Sequence, residues 1–487
     1  MLNADNNTLL ILDDRELVGE ELRGIVGRRH FGDIIFKRRL LVEHFYSALP
    51  QWAKTRFIHL RTADDMAKLR AALTSSPQDC SACIIAARAG FMDEERLTQL
   101  VERLPYAEED FTDRLYRPLV VFLSCAHTLI EHWEAFCAAP VHAWEQPWQQ
   151  SQRLQSVSLL DLGRMRDFLI FASGSTSPRH FNELSADTWY YTKKSSDTHK
   201  MRSEYLFYGL VPEKMRPWLI QPFDYLEEKG SASYKLMRYY LADAALQWVH
   251  GAFDADSFKV FTERLLFFIA ERPRRACEKN TSLAAAENLF VSKLERRVEQ
   301  FLATEEGRRV NLLAASVSAE LDIQNLLARY LALYRRHEKG FVFDHMAVGH
   351  GDPCFSNILY DQQRYLLLFI DPRGALGEED LWTHPLYDLC KISHSVLGDY
   401  DFINNGQYGI DFSNANELRL HCKHSNHAEL KELFIEQVIK MGHNRRAMRL
   451  GEASLFLSML PLHLDYPNKV LAFMLKAREI LDEVEHG

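Results

Sequence analysis

Residues 350–374 read HGDPCFSNILYDQQRYLLLFIDPRG and place three oxygen-bearing side chains where they can share one chemistry. Asp352 and Asn357 stand five positions apart, and Asp371 follows an apolar run. The turn-forming stretch 361–364, between the runs 358–360 and 365–370, predicts a hairpin that returns Asp371 beside the loop carrying the other two. Phosphoryl transfer from ATP needs a base that takes the acceptor's hydroxyl proton and oxygen ligands that hold Mg²⁺ against the phosphates. Asp352 suits the base, and Asn357 and Asp371 suit the metal. Turn capping by Asp352 and Asn357 is the plainer reading, but it leaves the third position unexplained.

The run His350-Gly351-Asp352 through Asn357, then Ile370-Asp371, resembles the aminoglycoside phosphotransferase and choline kinase family, a small-molecule branch of the protein-kinase-like fold. The stretches HGDPCFSNILYD, FIDPRG, PLYDLCKISHS and GDYDFINNG, with ASLFLSMLPLHLD at 453–465, are similar to phosphotransferase domains of bacterial capsule and surface-polysaccharide synthesis. The resemblance runs over roughly 156–487 and is strongest over 350–405. It implies a two-lobed fold with a largely helical C-lobe, ATP and Mg²⁺ as cofactors, and a small-molecule hydroxyl acceptor such as a sugar or amino alcohol.

Such a fold also needs a strand lysine for the nucleotide phosphates and a glutamate on the next helix to orient it. The segment WYYTKKSSD at 189–197, followed by a helical pattern over 199–210, offers both. Lys194 is the choice for the phosphate lysine and Lys193 the runner-up, because strand alternation sends neighbours to opposite faces. Glu204 is the expected partner, although Lys200 four residues earlier offers it an ordinary helix-surface pair. Gly174 and Ser175 open the expected phosphate-covering loop, which has one glycine where protein kinases have three. Met237 and Tyr239 lie in the segment expected to meet adenine.

Gly351 stands where many protein kinases carry an arginine, and only seventeen positions separate Asp371 from Asp388, with no Ala-Pro-Glu motif. A small-molecule acceptor is therefore expected. Arg373 is a candidate for a phosphate or substrate acid, with an ion pair to Glu378, Glu379 or Asp380 as the alternative. Asp388 in PLYDLCK resembles the family aspartate that supports the catalytic loop. His350, Lys391, His394, Asp399, Asp401, His463 and Asp465 are candidates for the substrate pocket or its support, though a histidine in an apolar helix such as His463 is more often a core residue.

The elements that must position these groups fill a chain of 487 residues, long enough for several domains. Apolar residues make up 47% and charged residues 26%, which disfavours disorder. With 58 basic against 67 acidic residues, a general grip on nucleic acid or anionic membrane is not expected. Apolar runs are too short to span a bilayer, and the N-terminus lacks the basic start and cleavage site of a signal peptide, so a cytoplasmic location without membrane insertion is expected. Cys80 and Cys83, and the histidine-rich 421–427 stretch, are incomplete as zinc sites.

Two prolines and five glutamines between 139 and 155 mark a linker. Before it, strand-like runs at 8–12, 57–60, 83–87 and 119–123 alternate with helical patterns, predicting a doubly wound α/β domain over 1–138 with a parallel sheet. Its 31–49 segment resembles sugar nucleotidyltransferases, yet Asp13-Asp14-Arg15-Glu16 stands where those enzymes need a glycine-rich basic loop, so a degenerate domain is expected. A receiver-like start is the lower-ranked alternative. Residues 156–240 are expected to form the kinase-like N-lobe and 241–487 the helical C-lobe. The competing functional reading is a nucleotide-binding pseudokinase that scaffolds polysaccharide-synthesis enzymes.

Overall fold

The computed structural model describes residues 7–77, 79–91, 93–140, 143, 152–153, 159–173, 182–414, 417–423 and 427–486. The chain is a mixed α/β protein that divides into two compact units, Met1–Ser177 and Pro178–Gly487. The division falls after the expected linker at 139–155. The reason is the short strand Leu159–Asp161, which pairs antiparallel with Ala89–Phe91, and the buried Arg88–Asp161 ion pair at 2.7 Å beside it.

In the first unit, Thr8–Asp13 lies between Phe57–Leu60 and Ser81–Ala86, parallel to both. The fourth expected strand, Val120–Leu123, enters antiparallel to Ser81–Ala86, which corrects the all-parallel expectation. Its antiparallel partner on the other side is Phe111–Thr112, joined to it by a short loop. A loop of that length can only fold a strand back on its neighbour, whereas a parallel strand needs a long crossover. Asp113 Oδ1 pins the turn by accepting from the Leu119 and Val120 N–H groups at 2.7 and 3.0 Å. Leu9, Ile11, Leu60, Ile84, Val121 and Leu123 share one core with Leu69, Leu73 and Phe136 from the helices.

The second unit opens with a four-stranded antiparallel sheet in the order Asn182–Ala186, Tyr190–Ser195, Ser231–Met237, Pro222–Glu228. The helix Thr198–Leu210 packs on it through Met201, which meets Ala232 and Tyr234. Asp197 starts this helix by accepting from the Lys200 N–H at 2.9 Å, and Pro212 follows just past its end, where a proline cannot continue the helical bonding. Helices dominate the rest, among them Ala255–Glu271, Lys293–Ala303, Ile323–Arg336, Tyr387–Val396, Arg445–Ser458 and Pro467–His486. The predicted hairpin is present as Ile358–Asp361 paired with Leu366–Phe369. Asp361 Oδ1 closes its turn by accepting from the Gln363 and Arg364 N–H groups. Bridges Leu219↔Phe369 and Asp243↔Leu359 tie this hairpin to the chain on either side of the last two sheet strands. No helix among the described residues is long and apolar enough to cross a membrane.

Candidate functional site

Lys193, and not Lys194, is the lysine that meets Glu204. In Tyr190–Ser195 the pleat turns Lys193 and Ser195 inward and leaves Lys194 exposed. Lys193 Nζ donates to Glu204 Oε2 at 2.6 Å and to Asp371 Oδ1 at 3.1 Å. The same Glu204 oxygen accepts from the Tyr234 hydroxyl at 2.8 Å, and the helix-surface pair with Lys200 is present but looser, at 3.7 Å. Burial opposes the Lys193 charge, and the carboxylates of Asp371 and Glu204 more than offset it, so its ammonium is held above its ordinary value. The apolar cavity behind Glu204, lined by Phe207, Ile220 and Phe369, measures about 20 Å³ and has room for a water rather than a nucleotide.

The loop holding Asp352 is fixed from below by Asp388. Its Oδ2 accepts from the His350 N–H and its Oδ1 from the Gly351 N–H, both at 2.9 Å. Arg272 neutralises the carboxylate at 2.8 Å and also donates to the Pro385 carbonyl at 2.7 Å, all within the interior. Gly351 has φ of +84°, and a Cβ there would come within 2.5 Å of Arg373 Cβ, so the loop can make this turn against Arg373 only with glycine. Asn357 Nδ2 donates to the Asp352 carbonyl at 2.9 Å, and the Ile370 N–H donates to the Asn357 carbonyl at 3.0 Å, which locks the hairpin's end to the loop.

Asp371 itself sits at φ of 55°, a left-handed conformation uncommon for aspartate. Gly374 then packs against the Ser203–Glu204 backbone, where a Cβ would meet Ser203 C at 2.7 Å, and the Ala375 N–H donates to the Ser203 carbonyl at 3.0 Å. The segment after Asp371 is thereby fastened to the helix that carries Glu204.

Lys391, three residues after Asp388 on the Tyr387–Val396 helix, forms an ion pair with Asp352 Oδ1 at 2.9 Å. Burial disfavours its charge, but the Asp352 carboxylate outweighs that and raises it. His350 is buried, and its Nδ1 accepts from the Asp352 N–H at 3.3 Å, a supporting rather than a reacting position. Of the acids proposed as partners for Arg373, Glu379 binds Arg275 at 2.8 Å and Asp380 caps Leu376 and Gly377. Among the described residues no ion pair joins Arg373 to any of the three.

The remaining candidates are more dispersed. Asp399 is buried between Lys431 and Lys476, at 2.5 and 3.1 Å, and reads as an anchor between helices. Asp401 is buried and its carboxyl is pushed up to about 7 by burial. His394 lies between the rings of Tyr400 and Phe456, and burial pushes its imidazole well below its ordinary value. His463 packs edge-on to Phe473, and Asp465 is exposed. Met237 pairs with Tyr190 at the end of its strand, and the side chains of Met237 and Tyr239 are exposed. Gly174 and Ser175 lie outside the described residues.

Three contributors carried no local signal: Tyr234, which shares Glu204; Arg272, 116 positions from Asp388; and Lys293, whose Nζ donates to the Tyr387 hydroxyl at 3.0 Å. Only alternation within 231–237 could have pointed to Tyr234.

No protein-family model matches the chain, and no curated protein matches it. Among solved structures, a thermostable mutant of aminoglycoside phosphotransferase APH(4)-Ia in ternary complex with AMP-PNP and hygromycin B aligns at 13% identity and a TM-score of 0.40, covering 66% of this chain and 98% of that one. The apo form of a thermostable mutant aligns at 11% identity and a TM-score of 0.36, covering 66% and 100%. A further APH(4)-Ia structure aligns at 10% identity and a TM-score of 0.36, covering 64% and 93%.

Proposed function

We propose that residues 178–487 are an ATP- and Mg²⁺-dependent phosphotransferase that acts on a hydroxyl of a small molecule, built as a two-lobed kinase-like unit. The observation that supports it most is the convergence of Lys193, Glu204 and Asp371 beside a loop whose Asn357 is bonded to the backbone of Asp352. In this reading Lys193 holds the α/β-phosphates and Glu204 orients Lys193. Asn357 spends its amide N–H on the Asp352 carbonyl, so Oδ1 is its atom for a cation, and Asp371 offers a carboxylate that is 42% exposed. These hard oxygen donors fit Mg²⁺, which when bound neutralises charge on the phosphates.

Asp352 takes the proton as the acceptor oxygen bonds to the terminal phosphorus; the bond from that phosphorus to the oxygen bridging it to ADP breaks, and ADP departs. The wording of 350–405 supports a sugar or amino alcohol of surface-polysaccharide synthesis as the acceptor. The first unit is read as a degenerate α/β domain. At the end of its first strand Asp13 is paired with Arg15 at 2.8 Å, while Asp14 is paired with Arg61 and accepts from the Gly32 N–H at 2.9 Å, so both arginines are engaged by the strand end's own carboxylates.

Incubating the full chain with ATP, Mg²⁺ and a panel of sugars, amino alcohols and nucleosides is expected to give one product heavier by a phosphoryl group, with matching ADP. ATP binding without transfer to any acceptor would instead favour the scaffold reading. Replacing Lys193 by Met removes charge-assisted bonds worth about 1.5–3 kcal/mol, so kcat/KM for ATP should fall about 10- to 150-fold. Lys194→Met should leave it unchanged, and equal losses in both variants would reject the assignment of Lys193.

A further inference from the structure

A second cavity, of about 250 Å³, is lined by Lys293, Arg296, Arg297, Gln300 and Arg373. Four of these five side chains are cationic and none is acidic. On the helix Lys293–Ala303 the positions 293, 296, 297 and 300 share one face, while Glu295 and Glu299 turn away from it. Cations stacked at i, i+3 and i, i+4 work against a helix, and an anion seated among them would relieve that repulsion. Arg297 donates to the neutral Gln300 Oε1 at 2.9 Å, and among the described residues it forms no ion pair.

One lining residue, Arg373, packs on the loop that carries the proposed base. The Arg373 N–H donates to the His350 carbonyl at 2.9 Å, and its Cβ packs on Gly351, the residue before Asp352. Lys293 reaches the Tyr387 hydroxyl, on the helix whose Lys391 pairs with Asp352. Burial, with repulsion from Lys391 and Arg373, lowers Lys293, and the three cations together overcome burial to pull the Tyr387 phenol below its ordinary value. The helix follows a π-helical turn at Glu287–Ser292, a distortion often found beside functional sites.

We propose that this cavity is an acceptor subsite for an anionic group, so that the molecule phosphorylated carries a phosphate or carboxylate of its own beside the reacting hydroxyl. The inference rests on the phosphotransferase reading above. The volume lies below the roughly 300–1,000 Å³ of drug-sized sites, which suits a monosaccharide phosphate or sugar acid. A polycationic amino sugar would be repelled by this lining. Arginine forks recognise phosphate and carboxylate oxygens in pairs, and Arg296, Arg297 and Arg373 supply them. The hydroxyl of the anionic acceptor bonds to the terminal phosphorus of ATP, its proton passes to Asp352, and ADP leaves.

The test uses the full chain with ATP and Mg²⁺ against sugar phosphates, sugar acids, neutral sugars and amino sugars, with direct titration of glucose 6-phosphate and gluconate by calorimetry. Turnover is expected for anionic acceptors, and the sugar-phosphate and sugar-acid arms distinguish the two anions. Arg296→Gln/Arg297→Gln should raise KM for the acceptor at least tenfold with KM for ATP unchanged, and Arg296→Lys/Arg297→Lys should recover part of the loss. A preference for neutral or amino sugars, or an acceptor KM indifferent to the double variant, overturns the subsite while the kinase reading stands. Anion binding that depends on Arg296 and Arg297 without transfer to any acceptor overturns the kinase reading, and the acceptor assignment falls with it.

Discussion

Asp352→Asn is expected to lower kcat by about 10²–10⁴-fold, the usual worth of a positioned general base, while equilibrium binding of ATP is little changed. The carboxamide keeps the size of the carboxylate and can still accept from Lys391, but it cannot take the acceptor's proton. In the proposed reading ATP is held by other groups, Lys193 with Glu204 and Asp371, which meet on the strand, the helix and the hairpin end. The substitution also removes the negative partner of the Lys391 ammonium. Because Asp352 is 41% exposed, solvent screens much of that loss, and the melting temperature should move less than for a fully buried pair. Initial rates with the identified acceptor, nucleotide titration and a thermal melt of the same preparation separate these effects. Turnover close to that of the unaltered chain would reject Asp352 as the base, and loss of ATP binding would show that the loop itself had changed.

The groups read most directly from the sequence are those whose geometry is local. Asp352, Asn357 and Asp371 lie within one loop and one hairpin, so spacing and turn chemistry suffice to bring them together. Lys193 against Lys194 depends on the phase of a strand, and Tyr190, Tyr191 and Thr192 are all half-buried, which leaves no alternating pattern to set that phase. The direction of Val120–Leu123 was hidden for a related reason, since a run buried on both faces reads the same whichever way it points. Arg272 and the cationic cavity are the least legible. Arg272 ends one helix and meets Asp388 across 116 residues, while Lys293, Arg296 and Arg297 read alone as a solvated helical face. Only the packed chain puts Arg373 among them.

Arg272→Met should be among the most destabilising single changes in this chain. Asp388 is fully buried and paired with the guanidinium, so the substitution leaves a carboxylate with two backbone N–H donors and, among the described residues, no ion-pair partner. Breaking a buried pair from one side costs about 3–5 kcal/mol, which for the unit Pro178–Gly487 corresponds to a fall in melting temperature of roughly 5–8 °C. Removing the stranded charge as well, in Arg272→Met/Asp388→Asn, should recover part of that loss, because the two sites are coupled and the carboxamide oxygen can still accept one backbone bond. Activity should not recover with it. The two Asp388 oxygens hold the His350 and Gly351 N–H groups separately, and a carboxamide has one oxygen for two donors, so the loop that aims Asp352 loses half its support. Thermal melts and initial rates for the two single variants and the double variant check this. Additive losses of stability would show that Arg272 acts independently of Asp388, and full activity in the double variant would remove Asp388 as the support of the catalytic loop.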